Sequence, residues 1–235
     1  MKSLRNLWGF KIQASDGELG KVRDFLLDDQ TWTIRYLVVE LGSWVRSRDV
    51  LVPPEFFDRA VDNDRRFIVS LDKEALQNSL VIDDDKPVSL QQDIPWRLTY
   101  HVSAGFILTD KGRKRTDESG EKMRGNPHVR SIRELIGYCV YALDGEVGNV
   151  KDFLVNDSLY EIPYMCVTIP KPRRNRLRIV ATDLIETVSW FETKVYIDAT
   201  RTAVKNAPTL SPGRAIDRDF EMEISIHYNA RRYSR

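Results

Sequence analysis

The chain has 235 residues, 42% of them hydrophobic and 30% charged, with a formal net charge of +1. That length holds one large domain or two small ones. The near-neutral balance gives no general attraction to a polyanion, and the longest apolar runs, such as Tyr36–Val39 and Val50–Val52, are strand-sized and far short of a membrane span.

The opening stretch, MKSLRNLWGF, shows neither the apolar run nor the small-residue cleavage site of a signal peptide. The expectation is a cytoplasmic protein without a membrane span. Next comes DGE at 16–18, a hairpin signal: Asp16 tolerates a tight turn and Gly17 supplies a positive φ. Gly20, just inside the following strand, predicts a bulge or sharp coil of the kind that small barrels need at corners. Lys21–Leu27 carries apolar residues on both faces, as a strand feeding two layers of a bent sheet does. Asp24 lies inside it, where an unpaired charge is expensive. Its expected role is structural: accepting backbone N–H groups or pairing with Arg5.

Thr33–Leu41 (TIRYLVVEL) is β-branched and aromatic, as strands prefer. In the connection GSWVRSRD, Trp44 stands near Arg46 and Arg48, and an exposed tryptophan among arginines is a candidate anchor for a partner protein. Trp8 aligns with Ile136 and Trp32 with Tyr160, and most of the tryptophans read as core or inter-barrel packing. VLVP and RFIVSL give further strands, and Asp72 is placed to cap a short helix over Lys73–Asn78. Pro95 interrupts the segment at 86–101, which reads as a helix or an extended arm. Residues 109–127, polar and glycine-containing, have linker chemistry.

The pattern then returns. A shift of 128 positions aligns residues 3–41 with 131–169 without a gap, and 17 of the 39 pairs are identical. Among them are Arg5/Arg133, Asp16/Asp144, Gly17/Gly145, Gly20/Gly148 and Asp24/Asp152. Asp144, Gly145, Gly148 and Asp152 therefore take the structural roles of their counterparts. The register persists more faintly to Asn78/Asn206. The predicted fold is mainly β: two tandem small β-barrels, each with a short terminal helix, plus a helical C-terminal tail. The domain boundaries read 1–85, 86–127 (arm and linker), 128–210 and 211–235. Ile216, Phe220 and Ile224 carry the helix of the tail.

The second copy also contains PKPRRNRLR at 170–178. Lys171, Arg173, Arg174, Arg176 and Arg178 form a basic run, and Arg174, Arg176 and Arg178 alternate so as to share one strand face. The run reads as a solvated hairpin tip or as a contact for a polyanion or acidic protein. No aromatic interrupts it, which weakens an RNA-stacking role.

The order L-x-G-x-x-(I/V)-x-x-x-D-G-E-(L/V)-G-x-V-x-D-F-L, followed by I-x-Y-x-x-V, resembles the PRC-barrel family over residues 3–80 and again over 131–208. That family is seen in the cytoplasmic domain of the photosynthetic reaction-centre H subunit and in the C-terminal domain of a ribosome-maturation factor. The resemblance implies small β-barrels. The membrane helix of the first and the separate N-terminal domain of the second have no counterpart in this sequence. The expectation is a non-enzymatic binding or assembly module with a protein partner. Its alternatives are an RNA- or ribosome-associated factor using the 170–178 hairpin, and an H-subunit-like role in photosynthetic electron transfer. No cofactor, metal or catalytic residue is expected: Walker A, GxGxxG, GxSxG and HExxH motifs are absent. His101, His128 and His227 lack ligand spacing, and Cys139 and Cys166 read as buried small hydrophobes. The oligomeric state is left open.

Overall fold

A computed structural model describes residues 1–43, 46–79, 128–156, 158–170, 176–209 and 216–232. The arm at 86–101, the linker at 109–127, Trp44, Lys171, Arg173 and Arg174 lie outside the described residues. The chain divides into two compact units. Unit 1 comprises Met1–Asn6, Thr31–Thr33 and Ile132–Arg235, and unit 2 comprises Leu7–Gln30 and Ile34–Ser131.

Unit 2 is built on one seven-stranded, barrel-like sheet. Its strands are β2 (Lys11–Ala14), β3 (Gly17–Asp28), β4 (Thr33–Ser43), β5 (Arg46–Val52), β6 (Phe57–Val61), β7 (Arg66–Val69) and β8 (Val129–Ser131). They run in the order β5-β4-β3-β2-β7-β6, with β8 also on β3. The β2–β3, β3–β8, β4–β5 and β6–β7 ladders are antiparallel, and β2 pairs with β7 in parallel. Strand β3 is long enough for two jobs. Its start pairs with β2 (Ala14↔Gly17, Lys11↔Lys21) and its end with β8 (Leu26↔Ser131, Asp28↔Val129). Between those jobs it turns over: Phe25, Leu26 and Leu27 are all buried, so both of its faces are covered. Each such side chain contributes about 2 kcal/mol when removed from water.

Gly20 makes the bend possible. Its φ is +79°, and an added Cβ would lie 2.6 Å from the Glu40 carbonyl oxygen. Only glycine lets β4 approach that closely. The hairpin aspartate does more than tolerate a turn: Asp16 Oδ1 accepts from the backbone N–H of Lys73 at 2.9 Å, while Asp72 caps Ala75 at 2.7 Å. Helix α2 (Lys73–Gln77) thus has two of its orphan amides satisfied.

Unit 1 repeats the scheme with β1 (Lys2–Ser3), β9 (Cys139–Ala142), β10 (Gly145–Val155), β11 (Tyr164–Ile169), β12 (Arg176–Ala181), β13 (Ile185–Ser189) and β14 (Lys194–Ile197). The order is β12-β11-β10-β9-β14-β13, with β1 also on β10, and β14 pairs with β9 in parallel. Asp144 accepts from Arg201 N at 2.6 Å, at the start of α4 (Arg201–Asn206). A Cβ on Gly148 would meet the Thr168 carbonyl oxygen at 2.3 Å. The tail is helical as its spacing implies. In α5 (Arg218–Arg232), Phe220, Ile224 and Tyr228 are buried, and the Tyr228 hydroxyl donates to the Ile179 carbonyl of β12 at 2.7 Å.

The units are not the two sequence halves. The leading strand of each repeat pairs with the long strand of the other: Ser3↔Leu154 in unit 1 and Ser131↔Leu26 in unit 2. These two pairings are one register related by the 128-residue shift. The segments before α1 (Leu4–Leu7) and α3 (Ile132–Leu135) have therefore been traded.

Candidate functional site

The traded segments settle what the two strand aspartates do. Asp24 is buried, 6% exposed, and its Oδ2 receives the Ser131 hydroxyl at 2.5 Å while Oδ1 receives the Phe25 amide at 2.8 Å. In unit 1 the Asp152 Oδ2 receives the Ser3 hydroxyl at 2.5 Å. Its Oδ1 receives the amides of Arg5 at 3.1 Å and Phe153 at 2.8 Å. Backbone donors are thus part of the answer, as expected. The serines are not foreseen, and Asp152 is only partly buried. The signal was present, since Ser3 and Ser131 head the repeat, yet a serine two residues from a chain start carries no mark of a long-range partner. Around Ser131 the incoming strand is held further. Asp29 accepts from Arg130 Nε at 2.6 Å and lies 2.9 Å from His128 Nδ1, and Val129 joins a cluster of Leu26, Tyr36 and Val38.

Of the three alternating arginines, Arg178 is the one whose side chain is described. Arg178 is 8% exposed, and its Nη1 donates to the Ala207 carbonyl and the Thr209 hydroxyl, tying β12 to the chain after α4. These Nη1 bonds give it a structural role, since a buried guanidinium needs such acceptors. Arg176 lies in β12 and Arg46 in β5. Arg48 is exposed, and its Nη2 donates to the Gln77 carbonyl at the end of α2 at 2.6 Å.

A different surface stands out. Strands β13 and β14 are joined by a tight turn at Trp190–Thr193. Phe191 is 96% exposed at its tip and Trp190 is 39% exposed. The turn is held firmly. Thr193 takes a left-handed φ of +52°, costly for a β-branched residue, and its N–H donates to the Trp190 carbonyl at 3.3 Å. Below the tip, Glu192 accepts from Tyr196 Oη at 2.7 Å and Lys194 Nζ at 3.2 Å. Those two hydrogen bonds hold the Glu192 carboxyl below its usual pKa. Lys194 in turn lies 5.1 Å over the Tyr141 ring. At the equivalent positions the first repeat has Asp62, Asn63 and Asp64, so the aromatic tip belongs to the second copy alone. A smaller apolar patch, Met222 and Ile226, is exposed one turn apart on α5.

Among the described residues, no group of three or more histidine, cysteine, aspartate or glutamate side chains is placed to hold a metal ion. Cys166 is buried, which pushes its thiol well above the usual range, and Cys139 is raised by burial and by the neighbouring Glu146. Neither has the thiolate character of a nucleophile. No helix among the described residues is long and apolar enough to cross a membrane.

An uncharacterized protein of Deinococcus radiodurans is 36% identical over 77 residues, which are 32% of this chain and 27% of that relative. The matched stretch thus spans about a quarter of the relative's length. Residues 1–76 match the model of the PRC-barrel domain, from the traded strand through the bent β3 to the capped helix α2.

Proposed function

We propose that this chain is a non-enzymatic binding or assembly module, that its second repeat is also a PRC-barrel, and that a partner protein docks on the aromatic tip of the β13–β14 hairpin. The observation that carries the reading is Phe191, almost fully exposed beside Trp190 on a turn whose own hydrogen bonds keep it from collapsing onto the barrel. Exposed aromatics on a rigid support lose little side-chain entropy when covered, which is why such residues dominate binding energy at protein interfaces. The PRC-barrel match over residues 1–76 supports a binding or assembly role.

The RNA reading loses Arg178 from its basic face, since that residue is spent internally. No observation favours the electron-transfer reading. The test is affinity capture from the source cell's extract with the wild-type chain and with Phe191→Ser, a change at an exposed position that leaves the barrel's core intact. Proteins retained by the wild type and depleted about tenfold or more by the variant are expected, since an aromatic anchor is worth 2 kcal/mol or more. Retention of nucleic acid instead, or of proteins indifferent to the change, refutes the assignment.

A further inference from the structure

We propose that the edge of β10, with Asp152 as its fixed acceptor, is a strand-addition site that a second copy of this chain fills with its own Met1–Asn6, so that two copies assemble by trading that segment. The site is already filled by a remote piece of sequence: Ser3 and Asp152 are 149 residues apart, so no local turn forces them together. What the site recognises is written in the segment itself. Lys2-Ser3-Leu4-Arg5-Asn6-Leu7 and Arg130-Ser131-Ile132-Arg133-Glu134-Leu135 share one pattern, basic–Ser–aliphatic–Arg–x–Leu. Each serine donates at 2.5 Å to the equivalent aspartate of its unit. Each segment also adds a short antiparallel ladder in the same register. The chain thus shows the same recognition twice.

The occupant follows from that pattern, because every other copy carries the identical segment on its N-terminal end. The contact includes two ladder positions, the serine hydroxyl, the Arg5 amide and the buried Leu4, on a segment of only six residues. An edge freed of such a segment is a template for any matching strand, and exchange of identical elements is a low-cost route to a dimer. Within one chain the segment competes at an effective concentration of order millimolar, so trading between copies is expected at high protein concentration or during refolding.

Lys2 and Val155 face each other in the ladder and provide the test. In the double variant Lys2→Cys/Val155→Cys, oxidation closes a disulfide within one chain and holds it monomeric. Chains carrying only Lys2→Cys are then mixed with chains carrying only Val155→Cys, unfolded and refolded together. Raising the concentration from about 3 to about 300 micromolar is expected to increase the covalent heterodimer roughly tenfold or more, as the competing chain approaches the effective concentration of the tethered segment. A double variant that closes while the mixture yields no covalent pair restricts the site to the chain's own segment and overturns the proposal. So does a pair formed equally well when Val155 is unchanged, which would mark Cys139 or Cys166 as the partner. A double variant that does not close overturns the pairing itself.

Discussion

At Asp152 burial raises the carboxyl's pKa above its usual 3.8, while the Ser3 hydroxyl, the amides of Arg5 and Phe153 and the charge of Arg5 pull the other way; burial prevails. The folded chain therefore holds this proton to higher pH than the unfolded chain does. The stability linked to Asp152 is fully present below the unfolded pKa and is lost as pH rises through the folded one. Asp152→Asn keeps an acceptor for Ser3 but removes the titration. The stability of the wild type minus that of the variant, from urea midpoints, is expected to fall as pH rises from about 3.5 to about 7. A flat or rising difference would mean that the hydrogen bonds, not desolvation, set the charge state. The residue scale also shows where sequence reading stops. A charge inside an apolar strand announces that Asp24 and Asp152 must be paired, but not that serines from 107 and 149 residues away do the pairing. Arg178 fails for the same reason: alternation places it on a strand face, whereas its burial depends on acceptors at Ala207 and Thr209 that no local pattern reveals.

The elements were more legible, because their signals are local. Asp-Gly pairs announce the two hairpins, Asp72 announces the helix cap, and Ile216, Phe220 and Ile224 announce the tail helix. The glycines inside β3 and β10 announce the bend, and the structure gives the reason: the neighbouring strand's backbone occupies the space a side chain would need. Gly148 is the sharper case. An added methyl would meet the Thr168 carbonyl oxygen at 2.3 Å and its carbon at 3.1 Å, both of them backbone atoms that cannot swing aside. Gly148→Ala must part β10 from β11, with a loss of about 1–3 kcal/mol expected for overpacking a fitted site. The check is a lowered urea midpoint with the slope retained; an unchanged midpoint would show the ladder to be slack there. The aromatic tip was missed at this scale because consecutive aromatics before a turn signal an apolar pair without saying whether the hairpin buries it or displays it.

For the whole molecule, duplication declares that residues 3 and 131 are equivalent, yet it leaves open which edge each leading strand covers. Either serine suits either aspartate, so the choice lies in the folded topology and not in any local preference. The structure resolves it reciprocally, with Met1–Asn6 in the unit of the second half and Val129–Ser131 in the unit of the first. Deleting residues 1–6 therefore does its damage at the far end of the sequence. Asp152 loses the Ser3 hydroxyl and the Arg5 amide, and Leu154 and Val155 lose their ladder partners. Leu26–Asp28 keep theirs, together with the Ser131 bond to Asp24 and the Val129 cluster. Hydrogen exchange reads the difference directly. Each lost hydrogen bond is worth about 1 kcal/mol, so amides within residues 152–155 are expected to exchange roughly fivefold faster or more after the deletion, while those within 24–28 hold their wild-type rates. The reverse pattern, with residues 24–28 deprotected and 152–155 unmoved, would mean that each repeat keeps its own leading strand.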